Sequence, residues 1–439
     1  MRNFPPAPDL PLHDRADQRM IHAMGAIQKN RARRQRQTDR SASTAAPVAM
    51  RPRVRPGLLR QLNERAVFEI VRDRGPISRA DLTRQSGITA PTASKVVGKL
   101  LKAGFLEEVN ADGDNSATSK AGRPSKVYRL GTASVQVLGA TIDVRRCSVL
   151  CSGLDGRVEP GNVLEFPTPS TYPKLINALA EGSHQLMRRP VTTLGLGVST
   201  PGEIDFVKQR VLLSPNLHIT DGQSPALDLR RKLGLETVMF HETIGTCLAE
   251  HAYGAAKGLS DFVMVGVYEG FGVSMVSGGR LIHGHEHMAG EMGHVTVDLN
   301  GQRCGCGNTG CLETVATDAA FARAVSKRLG TKLEVEEIIA RARAGGLDPQ
   351  PELDRTLEYL GVGVAALVNI FNPEAVLICA KMLDAAPDAF DRLNEVVRRR
   401  ALAPLLRSCR LVRAEGDTRQ GALASIIHHL THALGPVLD

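Results

Sequence analysis

A short segment that holds three cysteines and one histidine constrains this chain more than any other part of it. Cys304, Cys306 and Cys311 lie within one glycine-rich turn, and His294 lies upstream of them. Three thiolates and one imidazole complete a tetrahedral shell for zinc and leave no position for water. The pattern therefore predicts a structural zinc site, and the alternative is a loop of reduced thiols. The glycines agree with a metal loop, because wrapping sulfurs around one ion requires residues with positive φ.

The residues between the histidine and the cysteines are predicted to form a hairpin. Val295, Val297 and Leu299 alternate with polar residues as in a strand, and Asn300-Gly301 follows as a turn signal. A hairpin at this place would return the chain toward the histidine, so that the cysteine loop and the imidazole could share one ion.

The same segment, Gly284 to Glu313, carries a resemblance to a known family. Its pattern GxxxxAGExGHxxV, followed by CxCGxxGCLE, resembles the signature of the ROK family, which contains repressors, open reading frames and sugar kinases. The resemblance implies zinc on the four residues already named, and a sugar site lined by Glu291, His294 and Glu313. This agrees with their chemistry, because carboxylates accept hydrogen bonds from hydroxyls and a metal-bound imidazole has a fixed orientation. The alternative for the two glutamates is a solvated charge or support of the metal ligands.

Composition limits the classes of function. A length of 439 residues suggests two or three domains, and the net charge of +9 favours an acidic partner such as a phosphate backbone. Aromatic residues make up only 4% of the chain, which disfavours a protein that stacks single-stranded bases. No run of about 20 apolar residues predicts a membrane span. Cysteines in a metal pattern fit a reducing compartment, and the resemblance to ROK repressors implies a cytoplasmic bacterial protein associated with the nucleoid.

Residues 1–57 are predicted to be a disordered tail that is basic and rich in proline. Within it, Lys29 to Arg36 reads KNRARRQR. Such a run would attract DNA without reading its sequence, or it is only a solvated charged segment, and the composition does not separate these two interpretations. The tail could also include a short helix over residues 14–28.

Residues 58–131 are predicted to form a winged helix-turn-helix domain. Ser78 is a candidate N-cap of a short helix that ends at Gly87. The next helix, Thr89 to Leu101, has an apolar stripe on one side and a polar face on the other, as a recognition helix in the major groove requires. The alternative is an ordinary helical hairpin.

Two short strands, Phe105 to Val109 and Lys126 to Leu130, are predicted to form the wing, and the loop between them contains a Gly-Arg-Pro sequence. This arrangement resembles the DNA-binding part of ROK repressors, which ROK kinases lack. The residues predicted to contact DNA are Ser78, Arg79, Thr89, Pro91, Thr92, Ser94, Lys95, Lys99, Arg123 and Lys126.

Residues 135–439 are predicted to be an α/β domain. The order of strands and helices, including a helix predicted over Thr246 to Ala255, resembles the two-lobed actin-like ATPase fold of ROK proteins, with the structural zinc loop inside it. The resemblance implies effector binding and oligomerisation by this domain, as a homodimer or a homotetramer. A symmetric dimer would bind an inverted-repeat operator in double-stranded DNA.

The resemblance to ROK sugar kinases fails where a kinase binds the nucleotide. The family's DxGGT turn, whose bare backbone approaches the phosphates, here reads Asp143-Val144-Arg145-Arg146. The second glycine turn, GTGxG, reads Glu269-Gly270-Phe271-Gly272, and the glycine pair after the last strand is replaced by Ala380-Lys381. We therefore expect that nucleotide binding is lost.

The catalytic base of these kinases also differs. In the family it is the aspartate of an Asn-Asp-Ala-Asn run, and here the run reads His241-Glu242-Thr243-Ile244. Glu242 keeps a carboxylate at this degenerate base position, but it is one methylene longer, and the placement of a base is sensitive at the ångström scale. We therefore expect no phosphoryl transfer and no catalytic residue, that is, a protein that is not an enzyme.

The sugar side is better preserved. The resemblance implies an effector site formed by Asn216, His241, Glu242, Glu291, His294 and Glu313. The histidine at 241 replaces an asparagine, so the effector, a sugar or a sugar phosphate, is not specified further. His283, His285 and His287 are interpreted as a solvated polar loop, in preference to further metal ligands or sugar contacts.

These patterns predict a sequence-specific transcriptional regulator of carbohydrate metabolism genes, of the repressor type. A sugar or sugar derivative, bound in a ROK domain that has lost its kinase activity, would control it. Two alternatives stay open. The first is a bifunctional sugar kinase that also binds DNA, and the second is a regulator whose input is a protein partner.

Overall fold

Three helices and a three-stranded antiparallel sheet form the first part of the described chain. The computed structural model describes residues 56–110, 126–188, 190–414 and 417–432. The elements of this first part are α1 (Pro56–Arg74), β1 (Ile77–Ser78), α2 (Arg79–Ser86), α3 (Ala90–Lys102), β2 (Leu106–Asn110) and β3 (Lys126–Leu130). The strands are arranged in the order β1-β3-β2.

The ends of α2 and the faces of α3 agree with the sequence. The Ser78 hydroxyl accepts a hydrogen bond from the Asp81 N–H, and Gly87 ends α2 with a φ of 68°. In α3 the apolar residues Ala93, Val96, Val97 and Leu100 are buried. The predicted stripe on α3 is therefore confirmed, and it packs the helix against its neighbours while the opposite face stays open.

Two five-stranded sheets with the same topology follow. The first has the order β10-β7-β4-β5-β6, and the second has the order β13-β12-β11-β14-β15. In each sheet three consecutive strands pair antiparallel, and two later strands add in parallel beside the first of them. Such a repeated α/β unit is the architecture that the sequence predicted.

The bounds of these elements are as follows. The first sheet contains β4 (Val135–Thr141), β5 (Arg146–Ser152), β6 (Val163–Pro167), β7 (Thr192–Thr200) and β10 (Thr237–His241). The second contains β11 (Phe262–Val267), β12 (Phe271–Ser277), β13 (Arg280–Leu281), β14 (Ala375–Cys379) and β15 (Arg410–Arg413), and a separate hairpin contains β8 (Glu203–Asp205) and β9 (Arg210–Leu213). The helices are α4 (Tyr172–Leu186), α5 (Pro225–Leu233), α6 (Glu242–Tyr253), α7 (Asp318–Leu329), α8 (Val335–Arg343), α9 (Gln350–Phe371), α10 (Ala389–Arg400) and α11 (Thr418–His432).

The central strands of both sheets are covered on both faces. Every residue of β4 and of β11 is buried, which explains why β11 is a continuous apolar run rather than an alternating one. The buried Gln136 side chain of β4 is satisfied by a hydrogen bond of 3.1 Å to the Leu186 carbonyl. Leu423 and Ile426 of α11 share an apolar cluster with Val137 of β4. In the second sheet, Val364 of α9 belongs to the same core as Val376 of β14.

Two sequence predictions of local structure were wrong. The run that contains Val295, Val297 and Leu299 is not a strand, since only isolated bridges such as Thr296 to Cys311 form there. The N–H groups of Val297 and Asp298 both bond the Gly310 carbonyl, because the chain curls around the cysteines instead of extending. Helix α6 begins at Glu242 rather than at Thr246, which places this carboxylate in the first turn of a helix.

Some of the sequence predictions lie outside the described residues. They are the basic tail up to residue 55 with its short helix, and the wing loop 111–125, which includes Arg123. Among the described helices, none combines the length and apolarity that crossing a membrane requires.

Candidate effector site and metal cluster

A cleft opens between the β8–β9 hairpin, the ends of β10 and β12, and the loop that precedes the cysteines. It encloses about 580 Å³ of space, part of which is open to solvent. Its polar side chains are Glu203, His241, His283, His287 and Glu291. Its apolar wall contains Ile204, Phe206, Phe240, Ile244, Val273 and Met288. We call this space the effector cleft.

His241 offers a neutral imidazole with a defined tautomer to the effector cleft. The Thr243 N–H donates a hydrogen bond of 3.2 Å to His241 Nδ1, so the ring proton must lie on Nε2. Burial lowers the pKa of His241 to about 4, which keeps the ring uncharged near neutral pH. The Nε2–H group is therefore a donor for a hydroxyl or carbonyl oxygen.

Glu291 lies in the same cleft beside a second carboxylate, Glu203. Burial in the cleft, the charge and hydrogen bond of Glu203, and the charge of Glu313 together raise the pKa of Glu291 to about 8. The neighbouring carboxyl groups of Glu203 and Glu291 therefore present oxygens that can form hydrogen bonds with the hydroxyls of a ligand. The sequence analysis missed Glu203, although its place directly after Pro201-Gly202 at the end of β7 was a usable signal.

The loop that carries Glu291 approaches β12 very closely. Gly290 has a φ of 112°, and a Cβ at this position would lie 2.1 Å from the Val273 carbonyl oxygen. Only glycine satisfies both conditions without moving the backbone. The Ala-Gly-Glu part of the sequence signature therefore has a steric reason, since it holds the Glu291 carboxylate against the sheet.

The surroundings of Glu242 disfavour its ionised form, which a general base requires. Burial, followed by the charges of Asp143 and Glu269, raises the pKa of Glu242 to about 8, although Lys381 opposes this shift. A carboxyl group that already holds its proton cannot accept one from a sugar hydroxyl. The expected loss of the catalytic base thus has an electrostatic cause in addition to the longer side chain.

A second cleft lies where the glycine turns that bind the nucleotide in ROK kinases would meet. Charged side chains of the protein line it. It encloses about 1240 Å³ and is lined by Arg145, Glu269, Asp318 and Glu334, among others. The Arg145 guanidinium binds Glu269 at 3.1 Å and also binds Glu334. We call this space the ion-paired cleft. Its volume would admit a nucleotide, and its lining combines the carboxylates of Glu269, Asp318 and Glu334 with the cations of Arg145, Arg323, Lys327 and Lys332.

Asp318, which lines the ion-paired cleft, bonds the segment that follows β14. The Asp318 carboxylate accepts hydrogen bonds from the N–H groups of Lys381 and Met382 at 2.9 and 2.8 Å. The Lys381 ammonium pairs with Glu336. These residues stand where the kinases have a glycine pair, so backbone N–H groups that could face a ligand are already used.

The histidine and the three cysteines converge and could hold a metal ion. Their four ligand atoms lie within 4.8 Å of one another. The Cys306 and Cys311 sulfurs are 3.7 Å apart, and Cys304 Sγ lies 3.7 Å from His294 Nδ1. Zinc–sulfur bonds of about 2.3 Å in a tetrahedron require edges of about 3.8 Å, which these separations match.

The metal cluster and the effector cleft share a wall. His294 turns Nδ1 toward the cysteines and Nε2 toward Glu291, whose carboxylate is 3.8 Å away. Glu313 accepts a hydrogen bond of 3.1 Å from the Phe271 N–H, and thereby ties the cysteine segment to β12. Gly310 allows the return of the loop, because a Cβ there would lie 1.7 Å from the Asp298 carbonyl oxygen.

The residues predicted to bind the effector lie at different places in the structure. His241 and Glu291 line the effector cleft, and His294 and Glu313 support it from behind. Glu242 is surrounded by groups of the ion-paired cleft, and Asn216 is exposed and outside the lining. The interpretation of the upstream histidines as a solvated loop was wrong for His283 and His287, which line the cleft, because ring packing holds them there.

The residues predicted to contact DNA fall into two groups. The open face of α3 presents Pro91, Ser94 and Lys95, and the Thr92 hydroxyl bonds that of Thr89. Side chains of the other group bond other residues of the protein. Lys99 pairs with the buried Glu64, and Lys126 pairs with Glu108. The Arg79 guanidinium donates to the Tyr128 hydroxyl, and the Ser78 hydroxyl caps α2.

Comparisons with known proteins agree with this arrangement. The profile of the ROK family matches residues 144–428. The chain is 26% identical over 386 residues to the DNA-binding transcriptional dual regulator NagC of Escherichia coli K12, covering 84% of this chain and 93% of NagC. It is also 26% identical over 357 residues to the xylose repressor of Bacillus subtilis 168, covering 81% and 91% of the two chains.

Solved structures share the fold. One is a ROK family transcriptional regulator described as a homolog of the E. coli MLC protein, with a TM-score of 0.73, 23% identity, and coverage of 86% of this chain and 98% of that one. Another is the ROK hexokinase from Thermus thermophilus, with a TM-score of 0.57, 27% identity, and coverage of 69% and 100%. Since the family profile spans more than half of its length, the chain belongs to the ROK family.

Proposed function

We propose that this protein is a sequence-specific DNA-binding regulator of carbohydrate metabolism genes, of the repressor type, and that a sugar or sugar derivative controls it. The observation that carries the proposal is the contrast within one ROK chain between an open polar helix face on α3 and a second cleft in which the Arg145 guanidinium is already paired with two carboxylates. The regulators named above support it, because they match 81–86% of the chain, whereas the hexokinase matches 69%.

DNA recognition would use α2 and α3 as a helix-turn-helix, with β2 and β3 as the wing. Helix α3 enters the major groove, where Ser94 and Lys95 reach base edges or phosphates. Lys99 and Lys126 each hold a carboxylate in the free protein. Their first role is therefore to stabilise the domain, and Lys95 makes the larger contribution to DNA binding. Arg123 and the basic tail would add contacts to phosphates.

Helix α6 gives the effector cleft a physical connection to the DNA-binding part. It begins at His241-Glu242 beside the cleft and ends at Tyr253, whose hydroxyl donates to the Leu154 carbonyl at 3.1 Å. Leu248 of α6 belongs to the same apolar cluster as Phe68 of α1. An effector that shifts the start of this helix would move α1, provided that it binds the two arrangements with unequal affinity.

The metal cluster would hold a structural Zn²⁺ on His294, Cys304, Cys306 and Cys311. The ion would fix the loop that carries Glu291 and Glu313, and would thereby shape the effector cleft. We further propose that the chain acts in the bacterial cytoplasm as a homodimer or homotetramer, whose two-fold axis matches an inverted-repeat operator.

Binding of DNA is tested first. Selection from random duplexes at low salt should yield an operator, and fluorescence anisotropy should show that Lys95→Ala weakens binding by about tenfold and relaxes one base preference. The matched control is Lys174→Ala on α4, outside the proposed interface. Failure to bind any duplex at low salt would overturn the proposal.

Binding of the effector is tested by thermal shift with sugars and sugar phosphates. A ligand specific for the native state must raise the melting temperature, and Glu291→Ala should remove the rise while the exposed Glu395→Ala keeps it. Absence of any rise would favour a protein partner as the input. Release of ADP in a coupled assay with common hexoses would instead support the bifunctional kinase.

A further inference from the structure

We propose that the effector is a glycoside with a second ring, and that the aromatic wall of the effector cleft binds this ring while the carboxyl groups bind the first sugar. The inference rests on the proposed function, since it specifies the ligand of the same cleft. The class that it names is a sugar whose anomeric substituent is itself a ring with an apolar face, either an aryl group or a second pyranose.

The cleft is lined by two chemically different sets of side chains. Glu203, Glu291 and the Nε2–H of His241 supply polar groups that a sugar ring with several hydroxyls needs. The second set consists of rings. The Phe206 ring lies 4.9 Å from Phe240 and 5.4 Å from His287, and His283 lies 4.9 Å from His287.

This ring cluster is a cleft wall and not a closed core. Phe206 and the two histidines are only half-buried, and the neighbouring Met288 side chain is 42% exposed. A monosaccharide held by the carboxyl groups would leave these rings in water. A ligand that also covers them gains the burial of apolar area.

The lining of the cleft does not suit a phosphate as the group that the rings bind. Burial, and then the neighbouring His287, lower the pKa of His283 below its ordinary value. His287 is held by ring contacts, since its Nδ1 has no hydrogen-bond partner among the described residues. The cation that a phosphate would need is absent from the described lining of the cleft.

The geometry of the rings suits a flat partner. Phe206 and His283 are nearly parallel, with an angle of 25° between their planes and 6.2 Å between their centroids, while Phe240 is tilted by 50° from Phe206. Rings in offset or edge-to-face arrangements attract each other at centroid distances of about 4.5–7 Å. The exposed face of a half-buried ring can therefore accept an aryl group, or the C–H face of a pyranose.

The test measures binding to the full-length protein by isothermal titration. The probes are parent monosaccharides, their phenyl β-glycosides and the corresponding disaccharides, which separate an aryl from a glycosyl second ring. We expect the two-ring ligands to bind about threefold to tenfold more tightly than the parent sugar, which is the size of an aromatic contact. Phe206→Leu and His287→Ala should each reduce this ratio and leave the parent sugar's affinity nearly unchanged.

Val207→Ala is the control, because this neighbour of Phe206 is 77% exposed and outside the cleft lining. Equal affinities for the parent sugar and both two-ring ligands would overturn the inference while leaving the proposed function intact. So would a ratio that survives both ring substitutions. If no sugar of any kind binds, the inference fails together with the proposed function, and this result is distinguishable from the other two.

Discussion

The two clefts of this ROK chain differ in the polar and charged side chains that line them. The effector cleft presents the carboxyl groups of Glu203 and Glu291 and a neutral imidazole at His241, because burial lowers the pKa of His241 to about 4. The ion-paired cleft presents full charges that satisfy one another, with Arg145 between two carboxylates. The first is available to a polar uncharged ligand, and the second would have to break its own ion pairs before it could bind an anion.

We expect nucleotide binding to be disfavoured in the ion-paired cleft, while the fold is kept, because Glu269 and Glu334 already hold the Arg145 guanidinium. The ion-paired cleft is the larger of the two, at about 1240 Å³ against about 580 Å³, so lack of room is not what excludes a nucleotide. Glu269 stands in a turn where the kinases use backbone N–H groups. A carboxylate there opposes a phosphate by direct repulsion.

The largest expected effect concerns the proposed zinc ion, which would support the effector cleft but not the ion-paired cleft. Cys304→Ser should abolish bound zinc, lower the free energy of unfolding by about 2–5 kcal/mol, and remove stabilisation by sugars, since the Glu291 loop loses its anchor. Metal analysis and thermal shift provide the measurements. Cys409→Ser, a buried cysteine away from the loop, is the control. Normal zinc content with a normal sugar response in Cys304→Ser would break the link between metal and cleft.

An intermediate effect concerns Glu242, which lies at the boundary of the two clefts. Its pKa is raised to about 8 in the folded protein, so the folded state keeps a proton that the unfolded state releases near pH 4.5. Its contribution to stability is full below that pH and is lost as the pH rises toward 8. Glu242→Gln should therefore gain stability over wild type between pH 5 and pH 8, by at most about 1.4 kcal/mol per pH unit.

Urea unfolding at several pH values measures this difference. The comparison of variant with wild type matters because Asp318, with a pKa raised to about 7, and Glu291 contribute a similar slope to both proteins. An identical pH dependence in both would show that Glu242 is ionised in the folded state. That result would reopen its use as a general base.

The smallest expected effect concerns the ion pairs of the second cleft. Arg145→Ala should lower the free energy of unfolding by no more than about 1 kcal/mol, because these pairs are exposed. A non-hydrolysable ATP analogue should shift the melting temperature of neither protein. Stabilisation of the wild type by the analogue would contradict the distinction between the two clefts.

Local features were predictable from the sequence because neighbouring residues determine them. The cap at Ser78, the turn at Gly87 and the stripe of α3 follow from spacing within a few residues. The metal cluster was predictable for the same reason, since its ligands span a short segment whose residue types suit zinc. The alternation of apolar and polar residues around Val297 wrongly predicted a strand, because the curl of the chain around the cysteines overrides the preference for an extended conformation.

By itself, the sequence determined the ROK fold, the order of its strands and helices, the grouping of His294 with the three cysteines, and the replacement of the glycine turns. The tertiary structure alone decided which side chains share a cleft. Glu203 meets Glu291, Phe206 meets His287, and Arg145 reaches Glu334 across 189 residues of chain. Contacts between residues so far apart leave no periodic trace in the sequence, and the pKa values that set the chemistry of each cleft depend on those contacts.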